Sequence, residues 1–354
     1  MLRRPPWAGP LRLPFRAAAV LLAAWPAVAG PPPSHPPACA SPEARGFDFW
    51  VGEWDVVNRY KRRTATDFRE VGRATDRVHP VAGGCGIVEH WIGWLGPNPI
   101  VGFSVRSWDP ATGRWDLALL WPRPDATSFT ELQGTFRHGR GEFVRRAEGE
   151  LTRYTFNDVG PDRLRWDDAY SEDGGVTWRH SWIMEFRRRS AGADPLLANG
   201  PSTRSFRCAA PRYRAFDQLD GEWAGTARRG GEEVPATLRS VPILGGCAVM
   251  DLLTLGDGGA PQQAFAVRAF EDTSQRWVEY RLDSERPALR RLEAERGGDG
   301  RVFAGDFEDA GGPLRVRARW EELSAEAVAL TVEESRDRGA TWVERWSLRL
   351  ARRI

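Results

Sequence analysis

Phe47-Asp48-Phe49-Trp50-Val51-Gly52-Glu53-Trp54 returns later in the chain as Phe216-Asp217-Gln218-Leu219-Asp220-Gly221-Glu222-Trp223. Each stretch begins eight residues after a cysteine, Cys39 or Cys208, and each is followed by a Gly-Gly-Cys, at Gly83-Gly84-Cys85 and Gly245-Gly246-Cys247. The chain of 354 residues is therefore a tandem duplication with a period near 165 residues, and two domains are expected. Comparing the copies separates what the fold demands from what one copy does alone.

Outward from these stretches the sequence reads as short strands, with turn signals roughly every eight to twelve residues and little helical period. In the first copy strands are predicted at 54–60, 86–94, 100–108, 115–121, 129–136, 142–147, 151–158, 163–170 and 177–188, and the second copy repeats the plan. An antiparallel meander of about eight to ten strands hides its edges by closing into a barrel or folding into a sandwich. Residues 39–189 and 208–354 are the two expected barrels, with a linker of Gly, Ala, Pro, Asn and Ser at 190–207.

The N-terminus reads as a leader. Arg3, Arg4, Arg12 and Arg16 precede an apolar run at 17–25, and Ala27-Val28-Ala29 is a small-residue cleavage pattern, so 1–29 is expected to be removed. A Pro-rich lead-in at 30–38 follows. The apolar run falls short of the roughly 20 residues a membrane span needs, so no transmembrane segment is expected and the protein should be periplasmic or secreted. Outside the cytoplasm four regularly placed cysteines read as a disulfide framework, and of the three possible pairings the duplication favours Cys39 with Cys85 and Cys208 with Cys247.

The chain carries 50 basic and 48 acidic residues, a net charge of +2, which suggests neither a nucleic-acid groove nor a polybasic membrane patch. Its 17 tryptophans, many at matching places in the copies, predict an aromatic interior. No nucleophile elbow, phosphate loop or dinucleotide fingerprint appears, and the histidines and cysteines show no metal-ligand spacing. The sequence leaves open whether the protein is an enzyme.

Ser171-Glu172-Asp173-Gly174-Gly175-Val176-Thr177-Trp178, matched by Ser335-Arg336-Asp337-Arg338-Gly339-Ala340-Thr341-Trp342, resembles the Asp-box hairpin of sialidases and related β-propellers. Blades carry such a box far more often than once per copy, so the match implies a hairpin rather than a propeller. Gly-Glu-Trp at the start of each copy resembles the opening of calycin barrels, a superfamily that includes lipocalins and nitrobindin-like haem barrels. Phe-Asp-Phe-Trp-x-Gly-Glu-Trp with Gly-Gly-Cys and the Asp-box hairpin is similar to a bacterial group of lipocalin-like domains. The resemblance covers both copies and implies two calycin-like barrels, in each of which an arginine of the last strand lies over the first tryptophan. Strand parity makes these pairs Arg188 with Trp54 and Arg352 with Trp223.

Nitrobindin-like barrels carry Gly-x-Trp-x-Gly-x-Gly and a late histidine. Copy one has His180 but places Val56 and Asn58 at the second and third glycines, while copy two has Gly225 and Ala227 and no histidine beyond His180. No cofactor is expected, with haem in barrel 1 as an alternative. Parity puts His180 on the face of Trp178 and Trp182, either as a site residue or as barrel filling. Glu89 and Asp251, in matching places, are candidate acid–base groups or members of cross-strand ion pairs. With the turns centred between Pro97 and Asn98, and between Gly259 and Ala260, their partners are Arg106 and Arg268.

The expected function is binding of a small apolar or aromatic molecule at the end of barrel 1 away from Trp54, lined by Trp91, Trp108, Trp121, Trp166, Trp182 and His180. Glycan binding or processing, suggested by the Asp-box hairpins, is one alternative. A structural envelope module whose barrels are filled by their own side chains is another.

Overall fold

The computed structural model describes residues 36–94, 99–122, 127–147, 149–189, 206–257, 261–296, 300–309 and 311–353. The expected leader at 1–29, most of the Pro-rich lead-in and most of the 190–207 linker lie outside these residues.

Twenty antiparallel strands form two closed barrels. The first is built from β1 Gly52–Tyr60, β2 Arg69–Val81, β3 Gly86–Trp94, β4 Ile100–Asp109 and β5 Arg114–Leu120. It continues through β6 Phe129–Arg137, β7 Arg140–Ala147, β8 Glu150–Asn157, β9 Arg163–Ser171 and β10 Arg179–Arg188. The second comprises β11 Gly221–Arg229, β12 Glu232–Ile243, β13 Ala248–Leu255, β14 Gln262–Glu271 and β15 Arg276–Asp283. It ends with β16 Arg290–Ala294, β17 Val302–Asp309, β18 Gly312–Leu323, β19 Ala327–Ser335 and β20 Val343–Arg352. Each strand pairs with its sequence neighbours, and β10 and β20 return to β1 and β11, so the described strands leave no sheet edge unpaired. Alternation drives the closure: in β1, Trp54, Val56 and Asn58 are fully buried while Asp55 is exposed.

The strand β2 has no counterpart among the strands predicted for copy one. Gly72, Ala74 and Asp76 sit at alternate positions along it, so the apolar pattern that marks a half-buried strand is thin there.

Disulfides Cys39–Cys85 and Cys208–Cys247 staple the two copies separately, with Cα–Cα distances of 5.1 and 5.0 Å. In each copy the segment before the first strand folds into short 3-10 turns, ending at Asp48–Trp50 and Asp217–Leu219. These turns close one end of the barrel. Trp54 Nε1 donates to the Trp50 carbonyl at 2.8 Å, and Trp223 Nε1 donates to the Leu219 carbonyl at 2.8 Å. Arg188 and Arg352 lie over the Trp54 and Trp223 rings, each 4.2 Å from the centroid. Arg188 also donates to the carbonyls of Val51 and Phe49 at 2.9 Å each, which clamps the plug to the last strand. A Cβ on Gly52 or Gly221 would stand 2.5 Å from the guanidinium, and both glycines have φ near +130°, so the Gly of Gly-Glu-Trp is required by close approach.

The Asp-box hairpins are built alike. Ser171 Oγ accepts the Gly175 amide at 2.8 Å, and Asp173 accepts the Thr177 amide at 2.9 Å and its hydroxyl at 2.6 Å. Ser335, Asp337 and Thr341 repeat these bonds. Hydrogen bonds from Thr177 and Thr341 hold the Asp173 and Asp337 carboxyls well below the usual range.

The barrels meet back to back through equivalent strands. Val88, Phe103 and Val105, on the outer faces of β3 and β4, join one apolar cluster with Met250, Val267 and Leu282 of β13–β15. Phe129 and Tyr280 pack across the seam at 4.6 Å, and the amides of Thr127 and Phe129 donate to Asp272 and Glu271 at 2.8 and 3.1 Å. These strands are buried on both faces, which is why they read as apolar runs rather than clean alternations.

His90, on the outer face of β3 and edge-on to Phe103, has its pKa pushed down to about 3 by burial and then by His79 and Arg77. The unfolded chain titrates near 6.5, so it takes up protons that the folded protein refuses. Stability is therefore complete above about pH 6.5 and falls toward pH 3, by at most about 1.4 kcal/mol per pH unit from this group. Urea denaturation at pH 7 and pH 4.5 should show a larger loss in the wild type than in His90→Gln. Equal losses would contradict this assignment.

Candidate functional site

Midway along barrel 1 lies a buried charged layer. Glu89 pairs with Ser104 across the sheet and Arg106 with Ile87, so the register stands two residues from the directly opposed Glu89–Arg106 pairing that the sequence suggested. The two still meet diagonally: Arg106 Nη2 lies 3.2 Å from Glu89 Oε2, and Ser104 Oγ donates to the same oxygen at 2.5 Å. In barrel 2 Asp251 pairs with Ala266, again two residues from the expected register, and Arg268 reaches Asp251 at 2.7 Å. Arginine spans the diagonal because its guanidinium stands far from its own Cα.

Aromatic rings lie against both arginines. The Arg106 guanidinium is 4.1 Å from the Trp50 ring and 5.2 Å from Phe47; that of Arg268 is 5.1 Å from both Phe216 and Trp320. Each layer carries a second carboxylate, but from a different strand. In barrel 1 it is Asp76 of β2, where barrel 2 has Leu238; in barrel 2 it is Glu279 of β15, where barrel 1 has Leu117. Glu279 lies 2.8 Å from Arg268 and 3.3 Å from Arg281. Asp76 is fully buried and neither of its oxygens has a hydrogen-bond partner among the described residues. Burial, reinforced by Glu89, raises its pKa well above its ordinary value, and the charge of Arg106 only partly offsets this. The guanidiniums diverge accordingly. Burial prevails at Arg106 and lowers its pKa, whereas at Arg268 burial is outweighed by Asp251 and Glu279 and the pKa is raised.

Beyond this layer, toward the end away from Trp54, four tryptophans converge. Trp91 lies 5.2 Å from Trp121 and 5.9 Å from Trp182, Trp121 lies 5.9 Å from Trp182, and Trp166 lies 6.0 Å from Trp182. Two glycines make room. A Cβ on Gly93 would fall 2.0 Å from the Trp91 ring, and one on Gly102 2.7 Å from the Trp121 ring, so these rings lie flat on bare backbone. Trp91 and Trp166 are buried; Trp121 and Trp182 are half-buried. Trp182 Nε1 donates to Asn58 Oδ1 at 3.1 Å, while Trp91 Nε1 has no partner among the described residues.

Two residues assigned to this pocket from the sequence stand elsewhere. Trp108 pairs with Trp115, 6.2 Å away ring to ring, at the plugged end beside Phe47. Parity gives the face of a strand and not the height along the barrel. His180 leaves the interior because β10 bulges at Ser181: His180 pairs with Ala169 and Trp182 with Asp168, so the two imagined neighbours point to opposite faces. The His180 Nδ1 atom lies 3.8 Å from Asp167 in a surface recess with Lys61 and Trp178, and burial lowers its pKa. The imidazole that a haem in barrel 1 requires is not supplied by this residue.

The corresponding region of barrel 2 is charged. Leu253, Asp283 and Leu330 stand where barrel 1 has Trp91, Trp121 and Trp166, and Trp346 alone answers Trp182. The Arg281 guanidinium lies 5.7 Å from the Trp346 ring. Arg229 and Arg345 both pair with Glu285 of the β15–β16 loop, the latter at 2.7 Å, and Arg286 pairs with Glu334 of β19 at 2.5 Å. Ion pairs lace this end of barrel 2 together.

Asp76, Gly93 and Gly102 were not singled out in the sequence, and Asn58 only as the replacement of a motif glycine. For Asp76 a signal existed, since it stands nine residues before Cys85 and Leu238 stands nine before Cys247. Among the described residues no group of three or more His, Cys, Asp and Glu side chains is placed to hold a metal ion, and no helix is long and apolar enough to cross a membrane.

No family model matches the chain, and no curated protein matches it. Among solved structures it is similar to an S-type phycobiliprotein lyase from Guillardia theta, at 14% identity over 41% of this chain and 92% of that one, with a TM-score of 0.31. It is also similar to a DUF3598-family protein from Nostoc punctiforme, at 13% identity over 88% of this chain and 100% of that one, with a TM-score of 0.22.

Proposed function

We propose that the chain is an exported, calycin-like small-molecule-binding protein in which barrel 1 takes a mainly apolar or aromatic molecule at its tryptophan end and barrel 2 serves as scaffold. The observation that carries this reading is the contrast between the copies. Tryptophans needed by the fold, Trp54 with Trp223 and Trp115 with Trp277, are present in both, whereas Trp91, Trp121 and Trp166 belong to barrel 1 alone. A barrel of this architecture therefore closes without them. The two disulfides and the leader-like N-terminus support export. Glu89, bonded to both Ser104 and Arg106, fits an orienting ion pair better than an acid–base role.

Titration with N-phenyl-1-naphthylamine, followed by probe emission and tryptophan quenching, tests the reading. The wild type and Trp346→Ala should bind saturably and alike, and Trp182→Ala should bind roughly tenfold more weakly or not at all. The mutual contact of the four rings favours a second reading, a barrel filled by its own side chains. Absence of saturable binding in the wild type would establish that one and remove the first.

A further inference from the structure

We propose that the molecule taken by barrel 1 is an organic amine, bound as its ammonium with the cation among the tryptophans and its charge matched by Asp76. This rests on barrel 1 being the ligand-binding barrel and adds the chemistry of the ligand.

The count of buried charged groups differs between the copies. In barrel 2 two buried carboxylates, Asp251 and Glu279, face two guanidiniums, Arg268 and Arg281. In barrel 1 two carboxylates, Asp76 and Glu89, face Arg106, and Leu119 stands where barrel 2 has Arg281. Glu89 has Arg106 and Ser104 as partners; both oxygens of Asp76, wholly buried, have none among the described residues. Barrel 1 thus has one guanidinium fewer than barrel 2 for the same number of carboxylates. Barrel 2 shows where such a cation sits, because the Arg281 guanidinium contacts both Glu279, at 3.3 Å, and the Trp346 ring, at 5.7 Å. Trp182 occupies the Trp346 position in barrel 1, and Trp91, Trp121 and Trp166 surround it. Asp76 pairs with Trp91 across β2 and β3, so a desolvated carboxylate beside an indole cluster forms a site for an ammonium, which gains both cation–π attraction and a counter-ion.

The proton balance closes without a further reactant. An amine entering uncharged takes its proton from a protonated Asp76; an amine entering as its ammonium pairs with the Asp76 carboxylate, any proton held there passing to solvent. Entry is at the end where Trp121 and Trp182 are half-buried. The apolar body of the ligand rests on the indoles, and Trp91 Nε1 remains as a donor for an acceptor atom on it.

Calorimetric titration of the full chain, in phosphate buffer free of amines, with 2-(1-naphthyl)ethylamine and with the near-isosteric 2-(1-naphthyl)ethanol tests this. The amine should bind the wild type roughly tenfold or more tightly than the alcohol, and Asp76→Asn and Asp76→Leu should bind the two alike. Leucine is the residue barrel 2 carries at this place, so Asp76→Leu guards against a folding defect in the asparagine variant. Equal binding of both probes by the wild type, or an amine preference that survives in both variants, would overturn the proposal and leave the binding role of barrel 1 standing. Failure of both probes to bind the wild type would remove both.

Discussion

Replacing Arg106 by methionine is expected to lower the unfolding free energy by about 3–5 kcal/mol, a large share of the roughly 5–15 kcal/mol that holds a typical domain together. The guanidinium is buried against Trp50 and Phe47, and its removal leaves the buried Glu89 without its counter-ion. Methionine keeps much of the volume, so the loss measures charge rather than a cavity. Adding Glu89→Gln to Arg106→Met should recover most of it, because the cost lies in the orphaned carboxylate. Denaturant unfolding at pH 7 checks both variants. A single variant within about 1 kcal/mol of wild type, or a double variant no better than the single, would show that the pair does not organise the core.

The second large effect concerns the sulfur bridges. Cys39–Cys85 and Cys208–Cys247 join residues 46 and 39 positions apart, and closing loops of that length removes about 4 kcal/mol of unfolded-chain entropy per bridge. Substituting both cysteines of one pair by alanine should therefore cost about 4 kcal/mol, and either pair should cost a similar amount. All four cysteines are buried, so lost packing adds to the loss. Thermal unfolding of the two double-alanine variants, beside the wild type with and without reductant, measures it. Unchanged midpoints would mean that the ordered plugs and not the bridges fix the barrel ends.

The plan of the fold was legible because the fold's requirements occur twice. The Gly-Glu-Trp turn, the arginines that lie over Trp54 and Trp223 and the cysteine spacing each recur in both copies at corresponding places. The all-β architecture and both disulfides followed from that repetition. The strand β2 was not legible, and for the same physical reason Asp76 was not: a strand whose inward positions include Gly72, Ala74 and a carboxylate lacks the alternation that reveals strands. Register was misjudged by two residues in both copies, yet the diagonal reach of arginine preserved the ion pairs. Four of the six expected pocket residues do converge. Trp108 was misplaced because parity carries no height, and His180 because a single bulged residue, Ser181, reverses the faces beyond it.

The proposed division of labour makes barrel 1 the receptor and barrel 2 its charge-laced scaffold. A crystal structure of the protein grown with 2-(1-naphthyl)ethylamine tests it most directly. The prediction is density for the probe among Trp91, Trp121 and Trp182, its nitrogen within hydrogen-bond distance of Asp76 and barrel 2 free of it. Probe density inside barrel 2, or confined to the groove between the barrels beside Glu131 and Arg290, would contradict the account.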